Sequence, residues 1–434
     1  MSLNQRSWYV PDLINEFRSR SLFRPFVPVK VDFRAQNTAT MIFNLIYGLE
    51  PNITPLNNRD LWLPSQHFDS AQISLTLESH GGKVAFHEWD DLITYWKLNG
   101  SAGLRRICAA GLSQSMVDHL DLLARNALLS SPYKLYTDNS AATGFNSLTS
   151  SNLFNLTDAM DIWLGMSYRN LPIAVNPTGP QGAIVCITSP GVIFDIQNQA
   201  GEEWRAINTY SEAGRAALLK YEVGMYKNVR FISHPLMTLW NAGTISTQLT
   251  VTSSASAGDG AAATVDSVYA VGQSDATAYV QCSSFTADLF AVNDIVTIHT
   301  SRSASYGVPS GVDYVHGKTC SRRVVTVDAD NNRLSFDKPL LQDYETDLGS
   351  GVYAYVTKGL HVHASLFMAG PEGVVCGVTQ PPVVMAPPVV DDLMAMYRFS
   401  WKARLKYQLF RPEMLETIFS AGNVRFKGSK TTGG

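Results

Sequence analysis

The chain has 434 residues, of which 45% are hydrophobic and 16% charged, and its formal net charge is −3. That length builds one large domain with an insertion, or two to three modest ones, and the slightly negative balance excludes a global basic field that would hold nucleic acid tightly. The charged fraction lies below the usual quarter, which fits either a surface covered by other molecules or a β-rich protein with Ser/Thr faces.

Five cysteines (Cys108, Cys186, Cys282, Cys320 and Cys376) are scattered without Cys-x-x-Cys spacing, and an odd number cannot pair fully. This points to a reducing compartment and away from a disulfide framework or a zinc site. The opening MSLNQRSWYVPDLINEF lacks the apolar core of a signal peptide, and no apolar run is long enough for a membrane span. The expectation is a protein made in a cytoplasm, without membrane contact.

Residues 1 to about 50 mix aromatics, Arg and Pro without a sustained period and read as an extended arm crossing other surfaces. In QISLTLESHGGKVAFHEW, Ile73, Leu75 and Leu77 alternate with polar residues, Gly81-Gly82 supplies a turn, and Val84 and Phe86 resume the alternation, which predicts a β-hairpin. A two-stranded hairpin with one apolar face is barely stable alone and must lie on something. From Gly103 to Leu129 the period becomes helical. Leu104, Ile107, Cys108, Gly111, Leu112, Val117 and Leu120 share one face, continued by Leu123 or Leu128. Arg105, Arg106, Gln114, Asp118, Asp121 and Arg125 take the other. Such a helix spans about 40 Å.

NLTDAMDIWLGMSYRNLP reads as a second amphipathic helix, capped by Asn155 or Thr157 and stopped by Pro172. GAIVCITSP is a continuously apolar run ending in a breaker, as in a central buried strand, and GVIFDIQNQAGEEW follows as helix. EAGRAALLKYE and VGMYKNVRFISHP then read as helix, glycine break at Gly224, turn, strand and a stop at Pro235, a hinge between layers. At about Trp240 the composition loses charge. FAVNDIVTIHT and RRVVTVDADNNRLSFDKPLL are strand regions within an inserted all-β module, a small barrel or sandwich, and Asp328, Asp330, Asn331 and Asn332 make a hairpin turn rather than a calcium loop. Mixed texture returns with GVYAYVTKGLHVHASLFMAG. After a Pro-rich linker, MYRFSWKARLKYQLF alternates like a strand, with Tyr397, Phe399, Trp401, Ala403 and Leu405 on one side and Arg398, Lys402, Arg404 and Lys406 on the other.

LESHGGKVAFHEWDDL leading into GLRRICAAGLSQSMVDHLDLLARNALL, with YEVGMYKNVRFISHP and VYAYVTKGLHVHASLF, resembles in its order the major capsid proteins of tailed bacteriophages with the Hong Kong 97 type fold. The likeness is strongest to the subfamily typified by the coat protein of bacteriophage N-four and covers some 240 residues in blocks. It implies an α+β fold with an N-terminal arm (1–51), an extended-loop hairpin (52–87) and a peripheral domain with a long spine helix (88–150). It further implies an axial and peripheral layer (151–242), the inserted β-barrel-like module (243–350) and a return of the axial and peripheral domain with a C-terminal strand (351–434). The implied function is self-assembly into pentamers and hexamers of an icosahedral head enclosing double-stranded DNA.

The implied partners are copies of the chain, scaffolding protein, portal, cement or decoration proteins and, weakly and non-specifically, packaged DNA. The implied location is the virion, assembled in the host bacterial cytoplasm. An encapsulin-like enzyme compartment shares the fold and is the alternative, with a β-rich metal-dependent hydrolase more remote. Inter-subunit contacts are expected at Ile73, Leu75, Leu77, Gly81, Gly82, Val84 and Phe86, a hinge at Gly224 and Pro235, and DNA or ion-pair contacts at Lys402, Arg404, Lys406 and Arg411.

Nothing in the sequence assigns an enzyme activity, cofactor or metal. His361 and His363 have a spacing zinc enzymes use, but no third ligand stands nearby in sequence. His87 beside Glu88, Asp90 and Asp91 reads as a helix start. Gly258-Asp259-Gly260 lacks the Lys-Ser/Thr pair of a phosphate loop.

Overall fold

The computed structural model describes residues 22–32, 40–46, 70–87, 103–137, 145, 148–169, 184–207, 222–226, 229–255, 279–283, 289–301, 320–329, 331–337, 340, 353–385 and 396–421. In chain order these form β1 (Val29–Asp32), β2 (Thr40–Ile46), β3 (Ser70–Thr76), β4 (Glu78–His87), α1 (Gly103–Leu128), β5 (Lys134–Tyr136), α2 (Leu156–Tyr168), β6 (Ile184–Thr188), α3 (Pro190–Ile207), β7 (Glu222–Tyr226), β8 (Val229–Ser233) and β9 (Thr238–Leu239). They continue as β10 (Ile245–Ala255), β11 (Tyr279–Cys282), β12 (Ile295–Ser301), β13 (Cys320–Asp328), β14 (Arg333–Phe336), β15 (Tyr353–Gly359), β16 (Val362–Met368), β17 (Val374–Met385), β18 (Met396–Leu409) and β19 (Leu415–Ala421). The chain divides into two compact units, one within Met1–Ala127 and Glu372–Arg411, the other within Leu128–Pro371 and Pro412–Gly434.

In the first unit a four-stranded sheet runs β1-β17-β18-β4, beside a separate β2–β3 ribbon. Helix α1 buries Ala109, Leu112, Met116, Val117, Leu120, Ala124 and Leu128, the spacing of one helical face. Two residues expected on its polar side, Asp121 and Arg125, are buried instead, and Gly111, expected on the apolar side, is exposed. The Asp121 carboxylate explains its own burial. It accepts the backbone N–H groups of Leu22 (3.2 Å), Phe23 (2.9 Å) and Arg24 (3.2 Å). These open the one-turn 3-10 helix Arg24–Phe26, which has no side-chain cap of its own. Residues 22–32 are therefore not a free arm: Leu22, Phe23 and Val27 are buried, and β1 lies parallel to β17. Residues 1–21 of the expected arm lie outside the described residues.

In the second unit the sheet runs β5-β19-β16-β6-β8-β7, with β9 also paired to β16. The continuous apolar run of β6 reflects its place between β16 and β8, and all five of its residues are buried. Asn155 caps α2 by accepting the Thr157 N–H at 3.2 Å, and Ser189 Oγ accepts the Val192 N–H in the first turn of α3. Around Phe154, Ile162, Met166, Ile196 and Phe231, both helices share one apolar cluster with the sheet.

A closed six-stranded barrel, β10-β11-β14-β13-β12-β15, follows β9 in the chain, filled by Val251, Val280, Val296, Ile298, Val324, Leu334, Phe336 and Val356. The expected limit at residue 350 is too early. Strand β15 lies beyond it and closes the barrel by pairing with both β10 and β12. The hairpin reading at Asp328 holds: Asn331 N–H is bonded to Asp328 Oδ1 at 3.1 Å, and Asn332 takes φ 55°.

Candidate assembly surfaces

The expected hairpin across Gly81-Gly82 does not form. Strand β3 pairs with β2, β4 pairs with β18 over ten residue pairs, and both glycines lie inside β4 opposite Lys402 and Trp401. The reason is Trp401. A Cβ on Gly82 would lie 2.7 Å from Trp401 Nε1, and one on Gly81 would lie 2.8 Å from the Trp401 carbonyl oxygen. Glycine is needed here for close approach across the sheet, not for a turn.

Among the expected contact residues, Leu75 is fully buried and packs with Val375, Leu77 and Phe410 of its own unit, so it is not free to meet another subunit. Ile73 and Val84 are half-buried, and Phe86 stands opposite Tyr397 in the β4–β18 register. An exposed apolar residue of the β2–β3 ribbon outside the expected set is Ile42, 61% exposed and paired with Ser74. Alternation in MIFNLI is the signal that could have found it, because apolar residues there fall on both faces of a strand.

Between α1 and the sheet, His119 Nε2 lies 3.3 Å from His80 Nδ1, and the His119 ring lies 5.6 Å from the Trp401 ring. Burial lowers the pKa of both histidines, and for His119 the neighbouring His80 adds to the drop.

Strand β18 carries Lys402, Arg404 and Lys406, and Arg411 follows it, but they do not act alike. Lys406 forms an ion pair with Glu78, and Arg411 lies 3.7 Å from Glu372. Arg404 is exposed and Lys402 half-buried. The expected hinge takes another form: Gly224 lies within β7, which forms an antiparallel pair with β8, and Pro235 begins a 3-10 turn whose cap, His234 Nδ1, accepts the Leu236 N–H. The helix expected just upstream, at 212–221, lies outside the described residues.

The two late histidines do not converge on a common point. His361 Nδ1 accepts the Asn241 N–H at 3.2 Å, while His363 Nδ1 lies 2.7 Å from Ser189 Oγ. Burial lowers both to a pKa of about 4, so both are neutral. Among the described residues no group of three metal-ligating side chains occurs. Burial pushes the Cys282 thiol up to about 12 and Cys376 up to about 11, which leaves them unreactive. Glu88, Asp90, Asp91 and Gly258 to Gly260 lie outside the described residues. No described helix is long and apolar enough to cross a membrane.

No protein-family model matches the chain, and neither does any curated protein. Among solved structures, the capsid of Ralstonia phage GP4 is similar at a TM-score of 0.53 and 11% identity, covering 93% of this chain and 91% of that one. The capsid of cyanophage P-SCSP1u matches at a TM-score of 0.48 and 8% identity, over 93% and 88% of the two chains. A virus-like particle from Pyrococcus furiosus matches at a TM-score of 0.38 and 9% identity, over 94% and 97%. The chain has a mixed α+β fold of the phage capsid kind, as its likeness to the GP4 capsid shows.

Proposed function

We propose that this chain is a major capsid protein that self-assembles into pentamers and hexamers of an icosahedral phage head around double-stranded DNA, without enzymatic activity. The observation that carries the reading is the likeness of fold to the GP4 capsid over nine-tenths of both chains. In this reading the β2–β3 ribbon and the residues joining its strands form the extended loop, and α1 is the spine helix. The first unit is the peripheral domain, the seven-stranded unit the axial domain, and the barrel an insertion. The quoted stretches keep the bacteriophage N-four coat protein as the subfamily of reference. Many copies make individually modest contacts, and closure on all sides multiplies them.

The exposed face of Ile42 and half-buried Ile73 and Val84 supply contacts to neighbouring subunits. Gly224 and Pro235 set the direction of chain between sheet strands rather than hinging them. Scaffolding, portal and cement proteins are the expected partners in assembly, which proceeds in the host bacterial cytoplasm and ends in the virion. Negative-stain microscopy of the full chain, expressed with its scaffold, tests the reading: closed hollow particles are expected. Nuclease-resistant double-stranded DNA inside particles recovered from infected cells distinguishes a phage head from an enzyme compartment, whose cargo would be protein.

A further inference from the structure

We propose that the open face of the four-stranded sheet binds the phosphodiester backbone of a nucleic acid duplex through Lys83, Arg398, Lys402 and Arg404. The register of β4 and β18 is unbroken from Met396↔His87 to Leu405↔Glu78, so facing residues share a side of the sheet. Arg398, Ser400, Lys402, Arg404 and Lys406 therefore project to one side, with Ala85, Lys83, Gly81 and Ser79 beside the first four. The opposite side carries Trp401, Ala403 and Leu405, all buried. On the open side all four β4 residues, Ser79, Gly81, Lys83 and Ala85, are exposed.

Two of the neighbouring cations are already neutralised, Lys406 by Glu78 and Arg411 by Glu372. Lys83, Arg398, Lys402 and Arg404 have no carboxylate within ion-pair distance among the described residues. In a chain of net charge −3 this is a local concentration of positive charge. At about 3.3 Å per residue, Arg398 to Arg404 spans about 20 Å, and Lys83 fills the gap between Arg398 and Lys402 from the adjacent strand. The four cations form a row and do not converge on a point, which suits a linear polyanion rather than a single phosphate group.

A protein partner is the weaker fit. Specific protein interfaces centre on aromatic or apolar anchors. On this side β4 offers only Ser79, Gly81 and Ala85 besides Lys83, β18 only Ser400 and Gln408 besides its cations, and β17 half-buried Val383 opposite Lys402 and Met385, 36% exposed, opposite Ser400, with no aromatic side chain among them. A row of charges along a sheet face contacts phosphates and binds without reading bases.

The inference rests on the capsid reading only for which polyanion is at hand. The test measures the affinity of the full chain for a short, labelled, random-sequence DNA duplex across a salt series. Each neutralised phosphate contributes about −0.9 to the slope of log K against log salt. Four contacts give a slope of about −3.6, the double variant Lys402→Ala, Arg404→Ala brings it to about −1.8, and Glu78→Gln steepens the wild-type slope by about 0.9 by releasing Lys406. A wild-type slope near zero, or a slope unchanged in the double variant, overturns the inference. So does loss of subunit association in that variant with DNA binding intact, which would make the face a protein contact. Microscopy of the same variants separates the two readings: shells that form normally with no DNA effect leave the capsid reading standing without this one, and DNA binding without any shells in the wild type does the reverse.

Discussion

A Cβ at Gly82 would meet the Trp401 indole nitrogen at 2.7 Å, whereas Gly111 has nothing within 4 Å of the place its Cβ would take. The two glycines therefore make opposite predictions. Gly82→Val forces Trp401 out of its place between β4 and α1 and is expected to cost about 1–3 kcal/mol, the usual range for overpacking, read as a lower urea midpoint. Gly82 was misread because Gly-Gly between alternating runs is an ordinary turn signal. The tryptophan that gives it a different meaning lies far along the chain. His299, His361 and His363 make a pH prediction. Burial holds each folded pKa at about 4, below the ordinary imidazole value of about 6.5, so the unfolded chain binds their protons first. Their stabilising contribution is complete above about pH 6.5 and is lost as pH falls toward 4, by about 3 kcal/mol for His299, while His361 and His363 titrate as a coupled pair. Asp195, raised by burial to about 6, works in the opposite direction below pH 6. Urea midpoints measured across this range should fall with acidification, and His299→Gln should flatten the fall. A midpoint independent of pH between 6.5 and 4 would contradict it.

At the scale of elements, α1 shows where a periodic reading succeeds and where it stops. Leu112, Val117 and Leu120 were placed on the correct face because apolar residues at helical spacing have few alternatives. Asp121 was placed on the wrong one, because periodicity assigns carboxylates to solvent and cannot show three N–H groups that arrive from residues 22–24. Asp121→Ala removes the carboxylate that accepts from these three N–H groups and should cost about 2–3 kcal/mol. Hydrogen exchange checks it directly: amides of Leu22 to Arg24 should lose protection, and unchanged protection would show that the carboxylate holds nothing. Gly111→Ala on the exposed side should instead stabilise α1 by up to about 1 kcal/mol. Strand β6 and the cap at Asn155 were legible for local reasons, a continuous apolar run and an Asn at the helix start. Strand β15 was assigned to the wrong side of a boundary because its membership depends on partners in β10 and β12, not on its own composition.

For the whole molecule, the composition shift near Trp240 marked the barrel, but its anchorage was not legible. Asn241, at φ 54°, donates to the Ile295 carbonyl and Thr297 Oγ1 and accepts from Gly359 N–H. Among the candidate contact residues, the sequence pattern named Leu75, which is buried in its own unit, and not Ile42, which is exposed. Alternation shows which residues share a face and is silent about which face is already covered. The central claim is that the β2–β3 ribbon joins one subunit to the next. Met41 and Leu75 are paired neighbours, next to Thr40 and Thr76 with their hydroxyls 3.2 Å apart, so an Asn-Gly turn can replace residues 42–74 and leave Leu75 and β4 in place. Sedimentation velocity on the full chain and on this shortened variant, each with the scaffold, gives the most direct measurement. Closed particles from the full chain and folded, slowly sedimenting subunits from the variant are expected; particles of normal size from the shortened variant would contradict the assignment.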